Sequence, residues 1–257
     1  MPVFDRFDYQ NPDLFYPKTA VKAGENFVSL SEYKNVYMLF LAGHQNIYYH
    51  KQKERYFMQF EDHFVHSESV WLDGEKCVQV VKAKSKLLEF DADTYARISG
   101  ISFHNGVIEA DVRSRLLADA PDYARGFIGL AFRIQPDDSA FECLYIRPTN
   151  GIRMTDDPVR QSHAVQYFSY PKYTFAWFRK HDITAFEAKA DIMLDEWIHL
   201  KAVITDETAS LFINDMKHPV LTVDSMYMGA HAAGGVGLFV DIGTEGLFRN
   251  IVIAPSD

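Results

Sequence analysis

A run from Phe141 to Lys180, FECLYIRPTNGIRMTDDPVRQSHAVQYFSYPKYTFAWFRK, gathers arginine, tyrosine, histidine and tryptophan around a polar turn. Two kinds of chemistry suit such a set. Arginine forks match carboxylates bidentately. With a tyrosine or histidine as base, the row Arg133, Tyr145, Arg147, His163 and Tyr167 has the residue types for proton abstraction beside a neutralised acid group. A tyrosine ordinarily titrates near about 10, so it needs tuning to act as that base. Binding asks less: Tyr145, Tyr167 and Trp177 can stack on flat apolar faces while Asn150 and Gln166 fix hydroxyls. Carboxylates come as Glu109 with Asp111, and as Glu89, Asp91 and Asp93. Tyr173, Phe175, Trp177 and Phe178 equally suit a structural part, anchoring a long excursion from Pro171 to Ile192.

Such residues need a frame. From about Tyr56 onward, short alternating or β-branched segments are separated by Gly, Asp, Asn or Pro, the signature of a sandwich or barrel. Eleven strands are expected, at 56–62, 76–83, 86–92, 106–115, 126–135, 141–148, 163–169, 196–205, 209–215, 234–241 and 247–253. That is too many for one flat sheet and suits two packed ones. Side chains alternate across a strand, so Ile108, Ala110 and Val112 face a core while Glu109 and Asp111 face away. By the same parity Ile128, Leu130, Phe132 and Ile134 point inward, leaving Arg133 outside. Leu144 and Ile146 point inward, leaving Phe141, Cys143, Tyr145 and Arg147 as an outer row.

With 257 residues, 47% of them hydrophobic, the chain can bury a full core. A formal charge of −9 gives an overall field that repels phosphate backbones, which argues against a nucleic-acid partner. Cys77 and Cys143 lie far apart without a CxxC spacing, so neither a disulfide framework nor a zinc site is signalled. His44, His50, His63 and His66 lack a metal-binding spacing, and Gly234-Gly235-Val236-Gly237 lacks the Lys-Ser/Thr of a phosphate loop. The most apolar window, VYMLFLAG at 36–43, falls short of the roughly 20 residues that span a bilayer; it reads as a buried strand or short core helix. The amino terminus has no secretory pattern, so the expected location is cytoplasmic. Residues 1–55, with Pro2, Pro12, Pro17 and a basic cluster at His50 to Arg55, read as an extension packed on a single domain at 56–257.

GVIEADVR, GFIGLAFRIQ, EWIHLKAVITDETASLFIND and finally GGVGLFV with FRNIVI follow one another in order. Over about Phe60 to Ile253 this series resembles the concanavalin A-like lectin/glucanase superfamily, in its laminin-G-like jelly-roll branch. RPTNG with QSHAVQYFSYPKYTFAWFR is similar to a bacterial group of such domains of sugar-utilisation type. The resemblance implies an all-β, two-sheet antiparallel jelly-roll sandwich with a concave face that many relatives use for glycans. It also leaves room for a structural calcium ion, for which Glu61, Asp62 and Asn250 are the candidate ligands; no other cofactor is expected.

Fold does not fix reaction. Laminarinase-type relatives carry Glu-x-Asp-x-x-Glu on one strand, and here Glu109 and Asp111 have no third acid near Arg113 or Ser114. The expectation is therefore carbohydrate recognition on the concave face by Arg133, Tyr145, Arg147, Asn150, His163, Gln166, Tyr167 and Trp177, with Glu109 and Asp111. No catalytic residue is assigned. A glycoside hydrolase or polysaccharide lyase, and a protein-protein interaction module, stay open as alternatives, as does the oligomeric state.

Overall fold

The computed structural model describes residues 27–33, 36–41, 47–50, 58–214 and 217–256. The chain divides into two compact units, Met1–Phe57 and Met58–Asp257. In the first, β1 (Phe27–Tyr33), β2 (Val36–Leu41) and β3 (Ile47–His50) form an antiparallel sheet in that order. The apolar window at 36–43 is thus a strand over Val36–Leu41. The basic residues after His50, and the expected packing of residues 1–55 on the sandwich, lie outside the described residues.

The second unit begins with β4 (Phe60–His63), β5 (Val65–Leu72), β6 (Glu75–Lys82), β7 (Tyr95–Ile98) and the long β8 (Asn105–Leu116). Then come β9 (Ile128–Ile134), β10 (Phe141–Ile146), β11 (Val165–Tyr170) and the two-residue β12 (Glu187–Ala188). It closes with β13 (Ile198–Thr205), β14 (Thr208–Ile213), β15 (Leu221–Val223), β16 (Gly235–Val240) and β17 (Thr244–Ser256). Two short helices, α1 (Pro158–Gln161) and α2 (Phe175–Lys180), flank β11.

These strands make two seven-stranded antiparallel sheets, the jelly-roll sandwich that the resemblance implied. The front sheet runs β12-β11-β10-β9-β16-β7-β4 and the back sheet β15-β14-β13-β8-β17-β6-β5. Alternation in β8 and β13 sends Ile108, Ala110, Val112, Ile198, Leu200 and Ala202 into one core with Leu130, Leu144 and Leu238. Each fully buried Ile, Leu or Val side chain among them contributes about 1.5–3 kcal/mol.

The front sheet is buried on both faces. Its outer side carries a second cluster of Phe141, Cys143, Tyr145, Phe168 and Phe239, covered by Phe178 of α2 and by Ile242. The face on which an open glycan groove was expected is therefore largely filled by the chain's own aromatic residues.

Three further expectations are corrected. Residues 86–92 are not a strand: Lys86 N–H bonds Ala83 O and Glu89 N–H bonds Lys86 O, Asp91 sits at φ 47°, and Leu88 and Phe90 stay exposed. Strands β5, β7, β12 and β15 were not expected, β5 because a polar edge strand shows little apolar alternation. Finally, the parity of β9 breaks at its end. The register against β16 shifts between Gly235 and Gly237, and Arg133 takes φ 54°. This bulge turns Ile134 into the outer aromatic cluster and Arg133 to the opposite face.

Candidate functional site

One cross-strand row spans the whole front sheet, His63–Tyr95–Phe239–Gly129–Tyr145–Gln166–Glu187, each residue opposite the next. Gly129 is the gap in the row. A Cβ there would lie 2.3 Å from Leu144 O and 2.5 Å from Tyr145 Cβ. Without one, the Tyr145 ring packs against Phe239, centroids 5.5 Å apart. The row begins aromatic and ends polar, and the polar end is the candidate site.

Arg147 lies where β10 passes into the short 3-10 helix Pro148–Asn150. It is 4% exposed. Its Nη2 donates to Tyr145 OH at 2.5 Å and to Gln166 Oε1, and Tyr145 OH donates to the same Gln166 oxygen at 2.7 Å. Its Nη1 reaches His163 O at 3.4 Å and Glu187 Oε1 at 3.5 Å. Three rings frame the guanidinium, with Phe175, Tyr145 and Phe127 centroids at 4.6, 5.1 and 5.9 Å. Asn150 Nδ2 donates to His163 O at 3.2 Å, so Arg147 and Asn150 share one carbonyl.

Several buried polar atoms in this cluster have no hydrogen-bond partner: Arg147 Nε, Thr149 Oγ1, Gln166 Nε2 and both ring nitrogens of His163. His163 Nδ1 lies 2.8 Å from Glu187 Oε1, but at an angle that makes no hydrogen bond. A buried polar group left unpaired costs about 1–3 kcal/mol. Water, an ion or a ligand's polar groups would satisfy such a cluster.

The lid over this cluster is α2. Phe175 N–H donates to Asp91 Oδ2 at 2.7 Å, so Asp91 seats the helix start that Thr174 leaves uncapped. Asp91 N–H in turn donates to Asp241 Oδ2 at 3.0 Å, and Asp241 is ion-paired with the buried Lys82.

Burial sets the protonation states. It pushes the Asp91 carboxyl up to about 6, partly offset by the Arg147 charge. Burial and the positive charges of Arg179 and Arg147 hold His163 down at about 4, so the imidazole is neutral at pH 7. Burial also raises Glu187, and drives the Tyr145 and Tyr167 hydroxyls well above their ordinary range.

Of the expected residues, the structure brings together Tyr145, Arg147, Asn150, His163 and Gln166. It does not bring Arg133 or Tyr167 to them. Those two face the sandwich interior, where Arg133 Nη1 pairs with Glu142 Oε2 at 3.2 Å and Tyr167 OH donates to Glu142 Oε1 at 2.7 Å. Arg133 also donates to the carbonyls of Gly229 and Asp206, and Glu142 accepts from Met228 N–H, which ties loops together at that end of the sandwich.

Trp177 stands apart, stacked on His181 at 4.1 Å and edge-on to Tyr173 at 5.0 Å. Glu109 and Asp111 are on the outer face of the back sheet. There His199 Nδ1 meets Asp111 Oδ1 at 2.8 Å, and His199 Nε2 meets Glu109 Oε2 at 3.3 Å. They cannot serve the cluster, because the thickness of the sandwich separates the two faces, sheets packing about 10 Å apart.

The suggested calcium ligands are engaged separately. Asp62 accepts from Ser67, Glu61 is on β4 of the front sheet, and Asn250 Nδ2 donates to Asp111 Oδ2 at 2.7 Å on the back sheet. Among the described residues no group of three His, Cys, Asp or Glu side chains could hold a metal ion.

Sequence reasoning missed Glu187 and the seating role of Asp91, and named Phe175 only as an anchor of the Pro171–Ile192 excursion. Glu187 lies on a two-residue strand without periodicity, and only its pairing opposite Gln166 places it.

No family model matches the sequence, and no curated protein does. In structure the chain is similar to the carbohydrate binding module CBM66 from Bacillus subtilis. The TM-score is 0.46 at 15% identity, over 72% of this chain and 90% of that one. It is also similar to a Bacillus subtilis protein of unknown function with a galectin-like fold, at TM-score 0.42 and 12% identity, over 73% and 86% of the two chains. A third, the Caenorhabditis elegans galectin LEC-6, gives 0.35 and 13%, over 60% and 91%. These likenesses are weak, and nothing about ligand or chemistry follows from them.

Proposed function

We propose that this protein recognises a carbohydrate, and that the chamber of Tyr145, Arg147, Asn150, His163, Gln166 and Glu187 holds one of its sugar units. The observation that carries this reading is the set of unpartnered donors and ring nitrogens on Arg147, Gln166 and His163, framed by the rings of Phe127, Tyr145 and Phe175. A sugar offers what that arrangement lacks: hydroxyls for the orphaned polar atoms and flat C–H faces for the rings. Arg147 is 4% and His163 8% exposed, so a terminal unit fits better than the middle of a chain.

Recognition is better supported than turnover. A proton-abstracting tyrosine needs a lowered pKa, and burial raises Tyr145 and Tyr167 instead. His163, held at about 4, is a weak base. Glu109 and Asp111, the spaced acids, are on the other sheet.

The test is a glycan array followed by calorimetry and activity screening on neutral and uronate oligosaccharides, for the wild type, Arg147→Ala and Phe175→Ala. Binding by the wild type that drops at least about tenfold in both variants is expected. Absence of binding and turnover across the array would sink the reading. Thermal unfolding of each variant separates lost binding from lost fold.

A further inference from the structure

The chain is acidic overall, with a formal charge of −9. The chamber is not. Beside Arg147 stand Arg125, Arg160 and Arg179, and what they touch is mostly uncharged. Arg125 Nη1 donates to the carbonyls of Asp122 and Ala124 at 2.7 and 2.9 Å. Arg160 Nη2 donates to Thr149 O at 3.0 Å, and its Nε reaches Asn150 Oδ1 at 3.4 Å. Arg179 lies over the Phe175 ring at 4.8 Å.

The turn Pro148–Asn150 touches the Arg160 guanidinium and the Arg125 backbone, and lies beside Arg147. Thr149 N–H donates to Arg125 O at 3.3 Å, Thr149 O receives Arg160, and Asn150 shares the His163 carbonyl with Arg147. In this turn Thr149 Oγ1, on a residue only 9% exposed, has no partner, and neither has Arg147 Nε. Arg125 and Arg160 are half-buried, and Arg147 is buried.

The acids nearby do not balance the group. Asp157 accepts from Val159 and Arg160 N–H and so caps α1, Asp91 seats α2, and Glu187 reaches Arg147 only at 3.5 Å. The crowding is felt: burial first, then the charges of Arg160 and Arg147, lowers the Arg125 pKa. Like charges that outnumber their counterions are costly unless a ligand supplies the opposite charge. Planar guanidinium forks are the side chains that match an oxyanion.

Resting on the carbohydrate reading above, we propose that the sugar held in the chamber carries an oxyanion, a uronate carboxylate or a sulfate ester, received by Arg125, Arg147, Arg160 and the Thr149 hydroxyl. The ordinary structural use of these arginines, bonding loop carbonyls, accounts for single contacts of Arg125 and Arg160. It does not account for Arg147 and Arg160 meeting through Asn150, beside the orphaned Thr149 hydroxyl and Arg147 Nε.

The experiment is calorimetry on the full chain with four probes: a uronate oligosaccharide, its carboxyl-reduced neutral counterpart, a sulfated oligosaccharide, and inorganic sulfate. The variants are Arg125→Gln and Arg160→Gln, both at half-buried positions, with unfolding midpoints measured alongside. An acidic sugar binding at least about tenfold tighter than its neutral counterpart is expected, with a preference that weakens as salt rises. Each variant should cut the acidic-to-neutral affinity ratio by about tenfold. Uronate and sulfated probes tell the two oxyanions apart, and preference for either supports the proposal. Equal binding of acidic and neutral sugars, unchanged in the variants, overturns it and leaves the carbohydrate reading standing. Binding of inorganic sulfate as tight as any sugar overturns it as well, because the anion would then need no sugar. No binding of any probe removes both.

Discussion

Asp91 is the residue on which the lid depends, and its titration gives a signed prediction. Its folded pKa of about 6 lies above its ordinary 3.8. Between those values the folded protein holds a proton that the unfolded chain releases, so this group's contribution is present at pH 4 and below and is lost as pH rises through about 6. Two pH units correspond to about 3 kcal/mol. His163 acts oppositely: its imidazole is held neutral, so its contribution is present above about 6.5 and lost as pH falls through about 4. The difference between wild type and Asp91→Asn isolates the carboxyl, since the amide oxygen can still accept from Phe175 N–H. Urea unfolding at pH 4, 5, 6 and 7 should show the wild type losing about 2–3 kcal/mol relative to the variant across that range. A constant difference would mean that Asp91 does not hold its proton. At this scale the sequence revealed residue types and not their environments. Tyr145, Arg147, Asn150, His163 and Gln166 were readable as a polar and aromatic set around RPTNG. The loop bringing Asp91 to Phe175 across 84 positions was not, because no local pattern encodes a contact that only the packed chain makes.

At the scale of elements, the informative feature is where strand parity held and where it broke. Alternation placed Leu144 and Ile146 inside and Tyr145 outside, as found, because β10 is regular along its length. It failed at Arg133, since a bulge is one extra residue and leaves the hydrophobic alternation before it intact. That failure converts a supposed ligand residue into a buried clamp with Glu142. Removing one member of a buried ion pair costs about 3–5 kcal/mol, whereas replacing both by apolar residues is often near neutral. Urea unfolding should therefore show Glu142→Ala as severely destabilised and Arg133→Met/Glu142→Leu as less so, despite its additional change. A double variant as unstable as the sum of its singles would show that the two side chains act independently. The Pro148–Asn150 turn is held by contact of another kind: a Cβ on Gly151 would lie 1.8 Å from Ile192 O. Gly151→Ala must push the turn away from the chain at Ile192. Loss of sugar affinity together with a lowered unfolding midpoint is expected, and a variant with normal affinity and midpoint would deny the turn its positioning role.

At the scale of the whole molecule, the sandwich is complete within the second unit. All strands of both seven-stranded sheets lie between Phe60 and Ser256, and the buried cluster between the sheets draws its residues from Val65 to Phe248. A chain of about 200 residues buries enough of its surface to fold alone. In the sequence the composition changes near Tyr56 from proline- and tyrosine-rich to strand-spaced alternation. All three tryptophans, Trp71, Trp177 and Trp197, also fall in this unit, so their fluorescence reports on it even in the full chain. Their surroundings differ: Trp71 is 72% exposed at the back-sheet edge, Trp177 belongs to the α2 stack, and Trp197 lies under Arg249 at 4.0 Å. Residues 58–257 produced alone should therefore unfold in one cooperative transition, with tryptophan fluorescence and far-ultraviolet circular dichroism superimposing. A fragment that aggregates, or whose two signals separate, would show that the first unit supplies contacts the sandwich needs. A fragment that folds and binds its sugar with full affinity would place recognition entirely within the two seven-stranded sheets and the loops they carry.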